Sequence, residues 1–192
     1  MNDFFKKTDL TRTEAEKIID ETLLHKDDGE LYLQNSINEN ITLDDGKIKN
    51  TNFTKTYGMG FRGVSEDVTA YCHTNSINKK SLIDASKNIN STLKNSKSYK
   101  HNNSIRRTNE ILYSDHNPIE AKSLKEKIKL LNTVDLYLRS KSNLIKQVTA
   151  NISTEKKYIE IIKTGGITLS DNQPLTSFKI ALIMKKGSKN TQ

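Results

Sequence analysis

Cysteine, proline, tryptophan and glycine are all scarce in this chain of 192 residues: one Cys, two Pro, no Trp and eight Gly. A single cysteine, Cys72, excludes an intrachain disulfide, so the fold has to stand on its packing alone. At this length it can: a domain of this size buries roughly 70% of its unfolded surface. Long apolar runs are also missing. No stretch reaches the roughly 18 residues that a membrane helix needs, and Met1–Lys7 has no apolar core of the kind a secretory leader carries. The expected location is the cytoplasm, away from membranes. Histidine is thin on the ground too. His25, His73, His101 and His116 are dispersed, no two lie within one helical turn, and none is followed by Glu. A catalytic zinc commonly takes two His from one turn of helix plus a third ligand. No catalytic residue and no metal ligand is therefore assigned in this chain, and no cofactor is expected to bind it.

Charge is plentiful. Lys and Arg total 31 against 23 Asp and Glu, a formal net charge of +8. Such an excess draws polyanions, but Lys scattered over a solvated surface gives the same number. The one concentrated run is Lys94, Lys97, Lys100, Arg106 and Arg107, with Tyr99 and His101 among them as stacking surfaces. It supports at most weak, salt-sensitive nucleic-acid binding, and the blander reading, a solvated linker, is preferred. Nucleic acid is not the expected partner.

The apolar pattern alternates between helix and strand periods. Thr11 and Glu14 form a T-x-x-E capping box that opens a helix to His25, with Ala15, Ile18, Ile19, Thr22 and Leu23 on one face. Strand-like runs follow at Glu30–Asn35, Glu39–Leu43, Lys47–Thr54, Tyr57–Val64 and Val68–Cys72. Asp45-Gly46 sits between the second and third, where a type I′ turn is expected with Gly46 at positive φ. Ser81–Leu93 has helical spacing through Leu82, Ser86, Ile89 and Leu93. Lys94–Asn117 has no period. Leu124–Ser140 is a third helix carried by Leu124, Ile128, Leu131 and Leu138. Strands are then expected at Leu144–Ser153, Lys157–Lys163, Ile167–Leu169 and Ser177–Met184, with Gly165-Gly166 as a turn. Hairpins between successive strands predict an α+β fold, a mainly antiparallel sheet packed by helices, followed by the start of a second strand-rich region. The expected divisions are a domain over residues 1–95, a linker over 96–118, a second region over 119–185 and an unordered tail over 186–192. Leu31, Leu33, Ile41, Leu43, Ile48, Met59, Phe61 and Val64 are expected to face the first two helices.

Two motifs invite chemistry and are set aside. Gly58-Met59-Gly60-Phe61-Arg62-Gly63 resembles a phosphate loop, but its glycines lie inside a strand pattern and no helix follows, which a dinucleotide loop requires. Cys72-His73 is a ligand pair only if both side chains share a face, and strand neighbours do not.

Several stretches taken together resemble the N-terminal part of TldD/PmbA proteins, historically called modulators of DNA gyrase. They are Gly29-Glu30-Leu31-Tyr32-Leu33-Gln34, the hairpin Ile41–Ile48, the strand Tyr57–Val64 with its G-x-G-x-R pattern, Ala70-Tyr71, Leu112-Tyr113-Ser114 with Pro118, and Val148–Ser153. Asp45, Gly46, Gly58, Gly60 and Arg62 are the positions that match the family's pattern, as structural rather than catalytic residues. The likeness is closer to the TldD branch. It implies a zinc metallopeptidase as the parent function, with peptide hydrolysis by zinc-activated water, a Glu as base, and a paralogous TldE/PmbA-type partner. The family's His-Glu-x-x-x-His helix and later cysteine have no counterpart here. The expectation is therefore of an N-terminal fragment, inactive alone and dependent on a separately supplied catalytic part. The alternatives are a non-enzymatic interaction module or remnant of a split gene, and a weak basic nucleic-acid-binding protein.

Overall fold

The computed structural model describes residues 4–94, 112–187 and 189–191. Chain order is α1 (Arg12–Leu23), β1 (Asp28–Asp44), β2 (Lys47–Ser65), β3 (Val68–Thr74), α2 (Lys79–Thr92), α3 (Leu124–Lys141), β4 (Ile145–Lys163), β5 (Ile167–Lys186) and β6 (Lys189–Thr191). The strands form one sheet in the order β3-β2-β1-β4-β5-β6, the α+β architecture that the hairpin turns predict.

Four strands are longer than the sequence pattern suggests. Each expected pair, such as Glu30–Asn35 and Glu39–Leu43, is one continuous strand of 17 to 20 residues. Polar links such as Ser36-Ile37-Asn38 and Glu155-Lys156 read as breaks because Asn, Lys and Glu have low strand propensity. Propensity yields there to pairing with neighbours on both sides. Pro174, which cannot donate to a ladder, sits in β5 where β6 does not reach: β6 pairs only with Met184–Lys186. That pairing corrects the expected unordered tail. Gly187, at φ +61°, reverses the chain and lets Lys189–Thr191 return along β5.

Turn chemistry follows the residues. Asp45 and Gly46 have φ of +51° and +74°, the paired positive values of a type I′ turn. Gly165 and Gly166 take φ of +74° and +71° between β4 and β5. Thr11 and Glu14 complete the capping box of α1, and an unforeseen second one, Ser123 with Glu126, opens α3.

The chain forms two compact units, each assembled from three separate segments. One comprises residues 1–35, 56–112 and 158–172, the other residues 36–55, 113–157 and 173–192. The core of the first is built by α1 and α2 against sheet residues Leu31, Leu33, Met59, Phe61, Ala70 and Ile162, with Phe4 and Phe5 tucked into it. The second has a smaller apolar core of Ile41, Leu43, Leu131, Ala150 and Ile152. Ile41 and Leu43 therefore pack with α3 rather than with the first two helices. Ile48 is exposed and Val64 only half-buried, against expectation.

α3 departs most from its apolar pattern. Of the expected face only Leu131 is buried, while Ile128 and Leu138 are half-buried and Leu124 is exposed. Lys127 and Asp135 take the inner positions instead, at i and i+8. Each is buried because it is paired. Lys127 holds Glu39 and donates to the Ile119 carbonyl at 2.6 Å, and Asp135 holds Arg139 at 3.1 Å.

Candidate functional site

The five positions singled out in the sequence fall in two places. Gly58, Gly60 and Arg62 lie on β2 in the first unit, and Asp45 with Gly46 forms the hairpin tip in the second.

On β2, alternation sends Met59 and Phe61 into the core and leaves Gly60 and Arg62 on the opposite face. Arg62 grips Glu30 through two parallel bonds, Nε to Oε1 and Nη2 to Oε2, both 2.6 Å. Its Nη2 also donates to Asp28 Oδ2 at 2.5 Å. Lys163 closes the cluster with a 3.0 Å contact to Asp28. The two-pronged geometry is one that Arg provides and Lys does not. Hydrogen bonding to Glu30 raises the Arg62 pKa above its ordinary value. Burial alone would raise the carboxyl pKa of Asp28, yet Arg62 and Lys163 outweigh it and hold Asp28 below the usual range. With two cations against two carboxylates, the cluster is a clamp tying β1, β2 and β4 together, not an open anion receptor.

Beside the clamp lies a cleft of about 160 Å³ lined by Tyr32, Gln34, Gly58, Gly60, Tyr71 and His73, among others. The glycines are there for space. A Cβ on Gly58 would stand 2.5 Å from the Thr74 carbonyl oxygen, and one on Gly60 would meet the Tyr71 hydroxyl at 2.5 Å. The strand glycines thus mark close approach rather than phosphate binding. Tyr71 and His73 stack with centroids 6.0 Å apart on one side, and Tyr32 donates to Gln34 at 2.8 Å on the other. What the cleft offers a ligand is stacking and hydrogen-bonding surface.

Cys72 and His73 point to opposite faces, as strand neighbours must. Register puts Cys72 opposite Phe61 and His73 opposite Gly60. Cys72 is half-buried against the core and His73 exposed. His25 lies in the turn two residues past α1 at φ +63°, and His116 is exposed ahead of α3. Among the described residues no three His, Cys, Asp or Glu side chains lie together as a metal ion would require. Most of the basic run, Lys97, Lys100, Arg106 and Arg107 with Tyr99 and His101, lies outside the described residues. No helix among the described residues is long and apolar enough to cross a membrane.

At the hairpin tip, Arg139 of α3 holds both Asp45 and Asp135. Asp44 accepts from Gln147 and Thr149, each at 2.8 Å, which holds its pKa below the ordinary carboxylate value. Sequence reading singled out Asp45 and Gly46 but missed Arg139, which lies 94 residues away. It likewise missed Asp28 and Lys163 as partners of Arg62. Only the fact that Glu30 and Arg62 both alternate with buried neighbours could have paired them.

Two family models match successive parts of the chain. Residues 29–97 match PmbA/TldA metallopeptidase domain 1, and residues 117–192 match the PmbA/TldA metallopeptidase central domain. The chain belongs to the PmbA/TldD family. Its sequence relatives include the metalloprotease TldD homolog of Haemophilus influenzae, 30% identical over 170 residues, covering 85% of this chain and 34% of that protein. The TldD homolog of Buchnera aphidicola from Acyrthosiphon pisum is 29% identical over 163 residues, again 85% of this chain and 34% of the relative. The chain thus spans about a third of the length of the curated relatives it matches. Among solved structures, a protein from Bacteroides thetaiotaomicron described as a modulator of DNA gyrase shares the fold. Its TM-score is 0.70 at 15% identity, over 94% of this chain and 43% of that one. TldE from Thermococcus kodakarensis shares it at TM-score 0.61 and 13% identity, over 92% and 40%.

Acid should destabilise this PmbA/TldD-family fold, at its helix caps as well as its sheet. Asp28, Asp44, Glu126 and Glu14 all have depressed pKa values, Glu14 from 4.5 to about 2 through its hydrogen bond with Lys79. A carboxyl whose folded pKa lies below its unfolded one stabilises the fold above the unfolded value. That stability is lost as pH falls through the folded value. Melting temperature followed by circular dichroism should therefore drop steadily between about pH 4.5 and about pH 2. A flat profile over that interval would mean the ion pairs add no net stability.

Proposed function

We propose that this chain is the sheet scaffold of a TldD-type zinc metallopeptidase, with hydrolysis carried out by residues that these 192 do not contain. The observation that carries the reading is the pair of matches, family domain 1 and central domain in the family's own order. The Arg62 clamp and the Arg139 latch on Asp45 support it. Both spend charged residues on holding strands and hairpin in place, the work of a scaffold rather than of a reacting centre. On this reading residues 1–95 are the N-terminal domain and residues 119–185 begin the central region. The matched positions Asp45, Gly46, Gly58, Gly60 and Arg62 act as structural residues. The proposed partners are a paralogous TldE/PmbA-type subunit or a separately encoded catalytic part, and the proposed substrate of the assembled enzyme is a peptide. Zinc belongs to that assembled enzyme, and no step of the reaction is assigned to a residue of this chain.

The test is metal analysis and peptide cleavage on the purified chain, alone and mixed with a polypeptide bearing the His-Glu-x-x-x-His region of a TldD relative. The chain alone should retain no stoichiometric zinc after dialysis and cleave nothing, and mixing should produce cleavage that a chelator abolishes. One zinc per chain, lost on His73→Ala, would overturn the scaffold reading. Failure of mixing to yield any cleavage would favour a non-enzymatic interaction module instead.

A further inference from the structure

The first unit carries an unguarded sheet edge. β3 is the outermost strand, and all seven of its residues pair with β2 on one side. Among the described residues no strand lies on its other side, so alternate residues turn backbone N–H and C=O groups outward. A bare row of such groups is a template for another strand, and native proteins blunt it with Lys, Pro or other charges. Val68-Thr69-Ala70-Tyr71-Cys72-His73-Thr74 contains no Pro, Lys, Arg, Asp or Glu, and its Val, Thr and Tyr favour strands. The strands at the other end of the sheet order do carry guards, Pro174 and Lys179 in β5 and Lys189 in β6.

A hollow lies on each face of this edge. The cleft of about 160 Å³ beside Gly58, Gly60, Tyr71 and His73 is on the outer face. A second hollow, of about 230 Å³, is on the inner face, where Met59, Phe61 and Cys72 meet Ala85 of α2. His73 and Thr74 border both, so the two hollows flank the same stretch of edge. Successive side chains of a strand point to opposite faces. A strand laid along β3 would therefore set one side chain over the outer cleft and the next over the inner hollow. None of the residues lining the outer cleft is Asp, Glu, Lys or Arg, and Tyr71 and His73 stack there, so it suits an uncharged ring. The inner floor of Met59, Phe61 and Cys72 suits an aliphatic side chain, with Asp84 at its rim paired to Lys87 at 3.9 Å. A second copy of this chain is a poor occupant. Its own Cys72 is already packed on its core, and its own Tyr71 already lies across Gly60.

We propose that β3 accepts an extended segment of another polypeptide as an added strand, an aromatic residue lying in the outer cleft and an adjacent aliphatic residue in the inner hollow. Main-chain hydrogen bonds supply the affinity and the two hollows the sequence preference. The inference does not rest on the peptidase reading. It is a binding step with no chemistry, and its failure leaves that reading where it stands.

The probe is a fluorescent peptide of seven residues, the length of β3, with Phe-Val-Phe at its centre, a Ser on either side and a Lys at each end. The lysines prevent binding by mere attraction to a chain of net charge +8. Fluorescence anisotropy should show it binding at least about tenfold more tightly than the same peptide with Ser-Ser-Ser at its centre. Methylating every second backbone nitrogen gives two isomers. The isomer blocked on the edge-facing side should lose about tenfold or more in affinity and the other should keep it, because only one set of N–H groups can face β3. Cys72, the chain's one cysteine, lines the inner hollow and should be alkylated more slowly with the peptide bound. His73→Lys sets a guard on an exposed edge position and should weaken binding about tenfold or more. Tyr71→Lys replaces it should His73→Lys fail to fold by circular dichroism, and the two methylated isomers test the wild-type chain in any case. Equal binding of the isomers, binding untouched by a folded Lys variant, or a Cys72 left unshielded would overturn the proposal. So would a wild-type dimer in sedimentation that His73→Lys converts to monomer, since the edge would then belong to a second copy.

Discussion

Replacing Phe61 by Ala is expected to destabilise the fold by about 3–5 kcal/mol, read as a fall in the denaturant midpoint at unchanged slope. Phe61 has no exposed surface and is among the largest fully buried side chains. It lies opposite Cys72 in the ladder and in the same core cluster as Ile19, Leu33, Leu82 and Ile89, so both helices of the first unit lean on it. Truncation loses the transfer energy of the ring and leaves a cavity whose walls are held by strands and helices, which limits collapse. Phe61→Leu retains most of the volume and should cost less than half as much. A loss under about 1 kcal/mol for the Ala variant would show that the helices close over the gap and that Phe61 is not the keystone of this core.

The second large effect is expected at Lys127. The Lys127 side chain is 5% exposed and its partner Glu39 is 13% exposed. Lys127→Met keeps the apolar stem but strands the Glu39 carboxylate in a buried setting, with Thr154 at 3.4 Å as its remaining polar neighbour. Breaking one side of a buried pair costs about 3–5 kcal/mol, mostly the penalty on the charge left behind. The same argument predicts that Lys127→Met combined with Glu39→Leu recovers most of the loss, because the unpaired charge goes too. Thermal melts of the two single variants and the double variant check this. A double variant as unstable as Lys127→Met alone would show that the ion pair, rather than the stranded carboxylate, sets the stability there.

Where sequence and structure agree, the determinant is local. The Thr11–Glu14 capping box, the Asp45-Gly46 type I′ turn and the Gly165-Gly166 turn each rest on residues within a few positions of one another, and all are present. The buried set of Leu31, Leu33, Met59 and Phe61 was likewise legible, because strand alternation states which face is apolar. What was not legible depends on partners far along the chain. Lys127 and Asp135 occupy the inner face of α3 only because Glu39 and Arg139 neutralise them, and no periodicity of apolar residues announces a lysine that faces inward. Asn- and Lys-rich links were read as gaps between short strands, since propensity is local whereas the ladder that overrides it is not. The candidate site divides in the same way. Gly58, Gly60 and Arg62 stood out by their spacing, but the carboxylates that turn Arg62 into a clamp could be found only once β1, β2 and β4 were laid side by side.

The interleaving of the two units bears on how the chain must be born. Residues of the first unit come from the beginning, the middle and a late stretch at 158–172, and its core includes Ile162. A ribosome releasing the chain from its N-terminus would have delivered α1, β1, β2, β3 and α2 long before that residue appeared, and α3 as well. The first hydrophobic core is therefore incomplete during early synthesis, lacking Ile162 however much of its helix and hairpin structure has formed. Its last core residue arrives only with β4, and the second unit, which includes residues 173–192, is completed later still.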